Sequence, residues 1–198
     1  MITPAEIMPY LDLSSKLTPA DYVELAKFTK IKRLRPGETY ISVGATQQKV
    51  AIITHGILRT FYLEPNGSEI TVMLRCENQI VASIDSILLH KPSRFAYQAI
   101  EHTILLELDY HRARMVIEAS EHLQSLRHNV LIGILLQSLD RLEDFMLLNP
   151  EERYIRLVEQ RPYIANRVQD KFLSTMLGIT PVSLSRIKKR LKIRDAGV

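Results

Sequence analysis

A single cysteine, Cys76, stands among the 198 residues. It excludes an intramolecular disulfide, and alone it cannot supply the thiolates of a structural zinc or iron–sulfur centre. No apolar run is long enough to span a bilayer. The opening MITPAEIMPYLDL has no basic segment followed by an apolar core, so no secretory signal is expected and a reducing cytoplasm fits. Missing too are a P-loop, a Gly-rich dinucleotide fingerprint and any Ser/His/Asp ordering, which leaves enzymatic chemistry without residues. His55, His90, His102, His111, His122 and His128 are scattered along the chain, and no metal or cofactor is expected from them.

What remains is an ordinary globular composition, 46% hydrophobic and 24% charged. The charge is unevenly placed. Residues 150–198 hold 11 Lys and Arg against 5 Asp and Glu, while residues 1–149 carry a small negative balance. A near-neutral body with a basic tail suggests that the tail meets a polyanion.

The texture of the chain changes twice. From Pro19 to Lys30 the residues Tyr22, Val23, Leu25, Ala26 and Phe28 recur at helical spacing. Short apolar runs follow, separated by Pro36-Gly37, Gly44, Gly56 and Asn66-Gly67. The alternation in ILRTFYL and EITVMLR around Asn66-Gly67 predicts a hairpin, and the whole of residues 31–108 a small antiparallel sandwich or barrel. From His111 the pattern is helical: a short helix over His111–Ala119 and a long one over Glu121–Leu148. In the long helix Leu131, Leu135, Leu139, Leu142 and Met146 form one stripe, and Val130–Leu136 is almost wholly apolar all round. Such a helix needs cover on two sides, from a second copy of the chain or from the core of a monomer. Asn149-Pro150 closes it and opens the next helix, with Glu151 and Glu152 in the first turn.

The most specific segment is DKFLSTMLGITPVSLSRIKKRL, residues 170–191. Asp170–Leu177 reads as a helix, Gly178 as its left-handed terminus, Thr180 as the N-cap of a second helix and Pro181 as its first residue. Leu173, Leu177, Ile179, Leu184 and Ile187 fill the apolar positions of a steep helix crossing, with Ser174 as the small residue between the backbones. Thr180, Pro181, Val182, Ser183, Ser185, Arg186, Lys188, Lys189 and Arg190 supply a neutral or basic outer surface. That is the requirement for a helix lying in a DNA major groove, with Arg186 suited to a guanine edge. Six basic residues and no acidic one lie between Arg186 and Arg194, Lys192 among them.

A β-roll, a long helix and a C-terminal helix-turn-helix in this order resemble the Crp/Fnr family of bacterial transcription regulators, and LGITPVSLSRIKKRL resembles the short Bacteroidetes-type members. The resemblance implies an α+β chain: an antiparallel β-roll (jelly-roll) sensor over residues 1–120 with flanking helices, a dimerisation helix over 121–148 and an all-α helix-turn-helix domain over 149–198. It further implies a homodimer on a palindromic double-stranded operator, and it leaves RNA polymerase open as a partner; no membrane is involved. Where cyclic-nucleotide-binding members carry Gly-Glu and Arg-Ser pairs, this chain has Ala82-Ser83 and Ser93-Arg94. Without the carboxylate, cyclic AMP is not expected to bind. Ser83, Ser93, Arg94 and Tyr97 remain candidates to hold another anion, or stand as a vestige of such a pocket. The chain stops soon after the second helix, leaving little room for the β-wing of many relatives. The rival reading is a ligand-sensing or protein-interaction module whose C-terminal hairpin docks a protein.

Overall fold

The computed structural model describes residue 1, residues 3–11 and residues 16–196. Two helices, α1 (Pro4–Leu11) and α2 (Pro19–Ala26), lead into β1 (Thr29–Leu34), β2 (Thr39–Ile41), β3 (Lys49–His55) and β4 (Leu58–Leu63). Then come β5 (Glu69–Arg75), β6 (Ile80–Ala82), the short α3 (Ile84–Leu88), β7 (Ala96–Ala99) and β8 (Thr103–Asp109). The strands form two antiparallel four-stranded sheets, ordered β1-β8-β3-β6 and β2-β7-β4-β5. Period-two alternation turns Ala51 and Ile53 of β3 inward to meet Leu34, Leu58, Val81 and Leu105 in the core. The hairpin lies where the alternation put it: Leu63 pairs with Glu69, and Gly67 takes a φ of 86° in the turn.

Two local expectations need correction. The helix over Pro19–Lys30 ends at Ala26, because Thr29 and Lys30 pair with Leu108 and Glu107 of β8. That pairing joins residues almost eighty positions apart and outweighs the local periodicity. Helix α1 was not foreseen either. Its buried Ile7 and Leu11 are the basis of a contact with the long helix rather than with the roll.

The helical half comprises α4 (Tyr110–Ala119), α5 (Glu121–Leu147), α6 (Pro150–Gln160), α7 (Pro162–Arg167), α8 (Asp170–Met176) and α9 (Pro181–Ala196). Ser120 caps α5 by accepting from the Leu123 N–H, and Asn149 forms a capping box with Glu152 at the start of α6. At 27 residues α5 is about 40 Å long. Leu123 and Leu126 pack against Ala113 and Ile117 of α4. Further along, α1 crosses so closely that a Cβ on Gly133 would lie 2.6 Å from Leu11 Cδ2. Among the described residues no helix is long and apolar enough to cross a membrane.

Candidate nucleic-acid interface

Short-range chemistry builds the two-helix unit at the C-terminus. Helix α8 stops at Met176 because Gly178 turns left-handed, with φ at 70°. The Ile179 N–H returns to the Ser174 carbonyl at 3.0 Å, closing the turn. The Thr180 hydroxyl then accepts from the Ser183 N–H at 3.1 Å and starts α9. Leu173, Leu177, Leu184 and Ile187 are buried between the helices, Ile179 is half-buried, and Ser174 is fully enclosed at the crossing. Every residue assigned to the inside of the hairpin is inside it.

On the outer surface of α9, Thr180, Pro181, Val182, Ser185, Arg186 and Lys189 are exposed, and Ser183 is half-buried. Arg186 and Lys189 form no ion pair with any described residue. Lys188 and Arg190 are placed differently. The Lys188 ammonium pairs with Asp170 at the start of α8, and Arg190 pairs with Glu151 of α6 at 2.7 Å. Their partners lie 18 and 39 positions away, on other helices, so the basic run alone does not show them. The side chains of Lys192 and Arg194 lie outside the described residues.

This unit is seated on the roll. Helix α8 rests on β5, where the Thr71 N–H donates to the Thr175 hydroxyl at 3.1 Å. Arg59 of β4 is buried with its guanidinium 4.1 Å from the ring centres of both Phe61 and Phe172, and it bonds Gln98 and Glu69. One apolar cluster runs from Ile57, Leu74 and Cys76 of the roll to Ile164, Leu173 and Leu184. At its rim Arg167 pairs with Glu77 at 2.7 Å and with Glu101. The Arg167 bonds pull the Glu77 carboxyl down to about 2. The C-terminal helices are therefore fixed relative to the sheets. None of these joints was read from the sequence; an arginine inside an apolar strand, Arg59 in ILRTFYL, was the one available signal.

Along α5 the stripe from the sequence faces out. Leu131, Leu135, Leu139, Leu142 and Met146 are 36–73% exposed, an unusual state for five large apolar side chains on one line. The adjoining face, with Val130 and Ile134, borders a groove of about 600 Å³ against Val50 and Ile52 on the outer surface of the first sheet, and Leu131 stands at its edge.

The four residues at the nucleotide-like position all have partners within the chain. Ser83 is fully buried, 3.1 Å from the Ser86 hydroxyl. The Ser93 hydroxyl donates to the Phe95 carbonyl at 2.8 Å, and the Tyr97 hydroxyl to the Ala82 carbonyl at 2.9 Å. Asp85 of α3 occupies the Arg94 guanidinium, accepting from its Nε at 3.2 Å and its terminal nitrogen at 2.9 Å. A carboxylate of the chain itself thus neutralises the cation an outside anion would use.

No family model and no curated protein sequence matches the chain. Solved structures do. FixK2 from Bradyrhizobium japonicum superposes with a TM-score of 0.72 at 14% identity, over 84% of this chain and 86% of that one. A protein from Eubacterium rectale, described as a transcriptional regulator of the crp/fnr family, gives 0.72 at 14% identity, over 94% and 88%. The catabolite activator protein of Thermus thermophilus gives 0.55 at 20% identity, over 94% and 88%. The chain has the Crp/Fnr fold, α+β with a β-roll ahead of a C-terminal helical region.

Proposed function

We propose that this chain is a Crp/Fnr-type transcription regulator that binds double-stranded DNA as a homodimer. The observation that carries the reading is the outer surface of α9: Arg186 and Lys189 exposed and without an ion pair among the described residues, behind an N-terminus of small and neutral residues, on a hairpin anchored to the roll. In the major groove Arg186 reads a guanine edge, while Thr180, Ser183 and the open N–H groups of the first turn hold a phosphate. Lys188 and Arg190 serve the backbone only by exchanging Asp170 and Glu151 for phosphates.

A two-fold pairing of α5 through Leu131, Leu135, Leu139, Leu142 and Met146 supplies the symmetry that a palindromic site requires. In this reading residues 1–120 are the sensor part, 121–148 the dimer helix and 149–198 the DNA-binding part, in a cytoplasmic protein without catalytic activity. The Arg94–Asp85 pair supports a degenerate nucleotide position, since an effector there would have to displace a chelating carboxylate.

The test is fluorescence anisotropy on genomic fragments at several salt concentrations. Specific fragments should be bound at least 10³-fold more tightly than bulk DNA. Arg186→Ala should lose about 10–100-fold on them and little on bulk DNA. Equal, weak affinity of both proteins for every fragment would remove the DNA reading and leave the hairpin as a protein-docking element. Calorimetry with cyclic AMP and cyclic GMP should show no binding.

A further inference from the structure

Five arginines converge where the roll, the long helix and the C-terminal helices meet. Arg75 of β5, Arg141 of α5, Arg153 and Arg156 of α6, and Arg161 between α6 and α7 line one cavity of about 80 Å³. The carboxylates facing them are Asp140 and Asp144, and both bond Arg156, the latter at 2.6 Å. The other four guanidiniums form no ion pair with a described residue.

Their hydrogen bonds are partial. Arg141 donates to the Met176 carbonyl at 2.7 Å, and Arg153 to the carbonyls of Leu177 at 3.1 Å and Leu148 at 2.7 Å. Arg75 reaches only the Gln137 side-chain oxygen, at 3.1 Å. Arg161 makes no side-chain hydrogen bond to a described residue. A guanidinium carries five N–H donors, so most of this donor capacity is unspent. Burial pulls both Arg75 and Arg141 down to about 10, and at Arg141 the Asp144 carboxylate offsets only part of it. Burial likewise raises Asp140 and Asp144, which makes them poorer counter-ions.

Arg75, Arg141, Arg153 and Arg161 are half-buried, and like charges held together in partly desolvated space repel unless an opposite charge joins them. Arginine forks match the oxygens of a phosphate, two N–H groups at a time. The space corresponds to roughly two or three waters' share of the liquid, enough for a tetrahedral oxyanion and too small for a nucleobase. We propose that this cavity is a binding site for a phosphate group, free or as the terminus of a small phosphorylated metabolite, held by Arg75, Arg141, Arg153 and Arg161. The anion ties β5, α5 and α6 to the end of α8, so its occupancy stiffens the joint that aims the C-terminal hairpin. The site is separate from the nucleotide-like position at Arg94 and does not depend on the DNA reading.

Thermal unfolding of the full-length protein tests it, with inorganic phosphate, pyrophosphate or a nucleoside 5′-monophosphate added against sodium chloride of equal ionic strength. At least one phosphate compound should raise Tm by about 3 °C at millimolar concentration, beyond the chloride effect. A response to inorganic phosphate identifies the free ion as sufficient. A response to the ester alone identifies the phosphorylated metabolite. Arg161→Gln should lose the response and, in phosphate-free buffer, unfold no earlier than wild type, because it removes one of the crowded like charges. Lys189→Gln, on the outer surface of α9, should keep the full response. The proposal fails if chloride raises Tm as much, if Arg161→Gln responds like wild type or unfolds earlier without phosphate, or if Lys189→Gln is the variant that loses the shift.

Discussion

Gly178 answers to two constraints at once. Its φ of 70° belongs to the left-handed region, where any Cβ is penalised by about 1 kcal/mol. A Cβ there would also lie 2.8 Å from the Phe145 ring, which projects from α5 over the turn. That ring sits between Arg141 and Arg153, at 5.1 and 4.6 Å, and both arginines hold carbonyls at the end of α8. Any shift of Phe145 to make room therefore loosens its contact with the two residues that close the helix. Gly178→Ala should cost about 2–3 kcal/mol in urea denaturation, more than backbone strain alone. Gly178→Asn, which tolerates the left-handed region, should cost less than alanine but more than zero. Equal midpoints for wild type and both variants would show that the ring moves freely and that the turn is not coupled to α5.

At the scale of elements, the apolar stretch Val130–Leu136 is resolved into three surfaces. Gly133 receives α1, Val130 and Ile134 border the groove with Leu131 at its edge, and Leu135 points out. The sequence required two covered sides and left open what covers them; the second cover within the chain is α1, and the stripe is still bare. If it is the dimer surface, Leu135→Asp with Leu142→Asp buries two carboxylates against apolar partners. The double variant should sediment as a monomer at concentrations where wild type is a dimer, with its circular dichroism spectrum unchanged. A dimer surviving both changes would move the interface elsewhere. Elements specified by neighbouring residues were legible in the sequence: the caps at Asn149 and Thr180, the Gly178 turn, the hairpin at Asn66-Gly67 and the inner face of the two-helix unit. Contacts joining distant segments were not. Arg59 meets Phe172, Arg190 meets Glu151, and the five arginines assemble from β5, α5, α6 and the residue after it. Apart from Arg59, which stands out inside an apolar strand, each of these charged partners looks like an ordinary surface charge until the chain is folded.

For the whole molecule, the same pairings reduce the cationic surface that the basic tail suggests. Residues 150–198 carry an excess of six positive charges, but Lys188 and Arg190 are neutralised by neighbouring helices, and Arg153, Arg156 and Arg161 face the inner cavity. In the DNA-binding reading, the charge of the described part of α9 that is free to meet a duplex is concentrated at Arg186 and Lys189. Affinity for DNA falls with salt in proportion to the phosphates neutralised, at about 0.9 per contact in a logarithmic plot. A two-fold dimer loses two contacts for each substitution. Lys189→Ala should therefore flatten the salt slope by about two, equally on specific and bulk DNA. Arg190→Ala should flatten it by less than one, because that guanidinium must leave Glu151 before it reaches a phosphate. Slopes changed equally by the two variants would mean that the Glu151 pair opens on binding, and that the basic run of α9 contacts the backbone along its length.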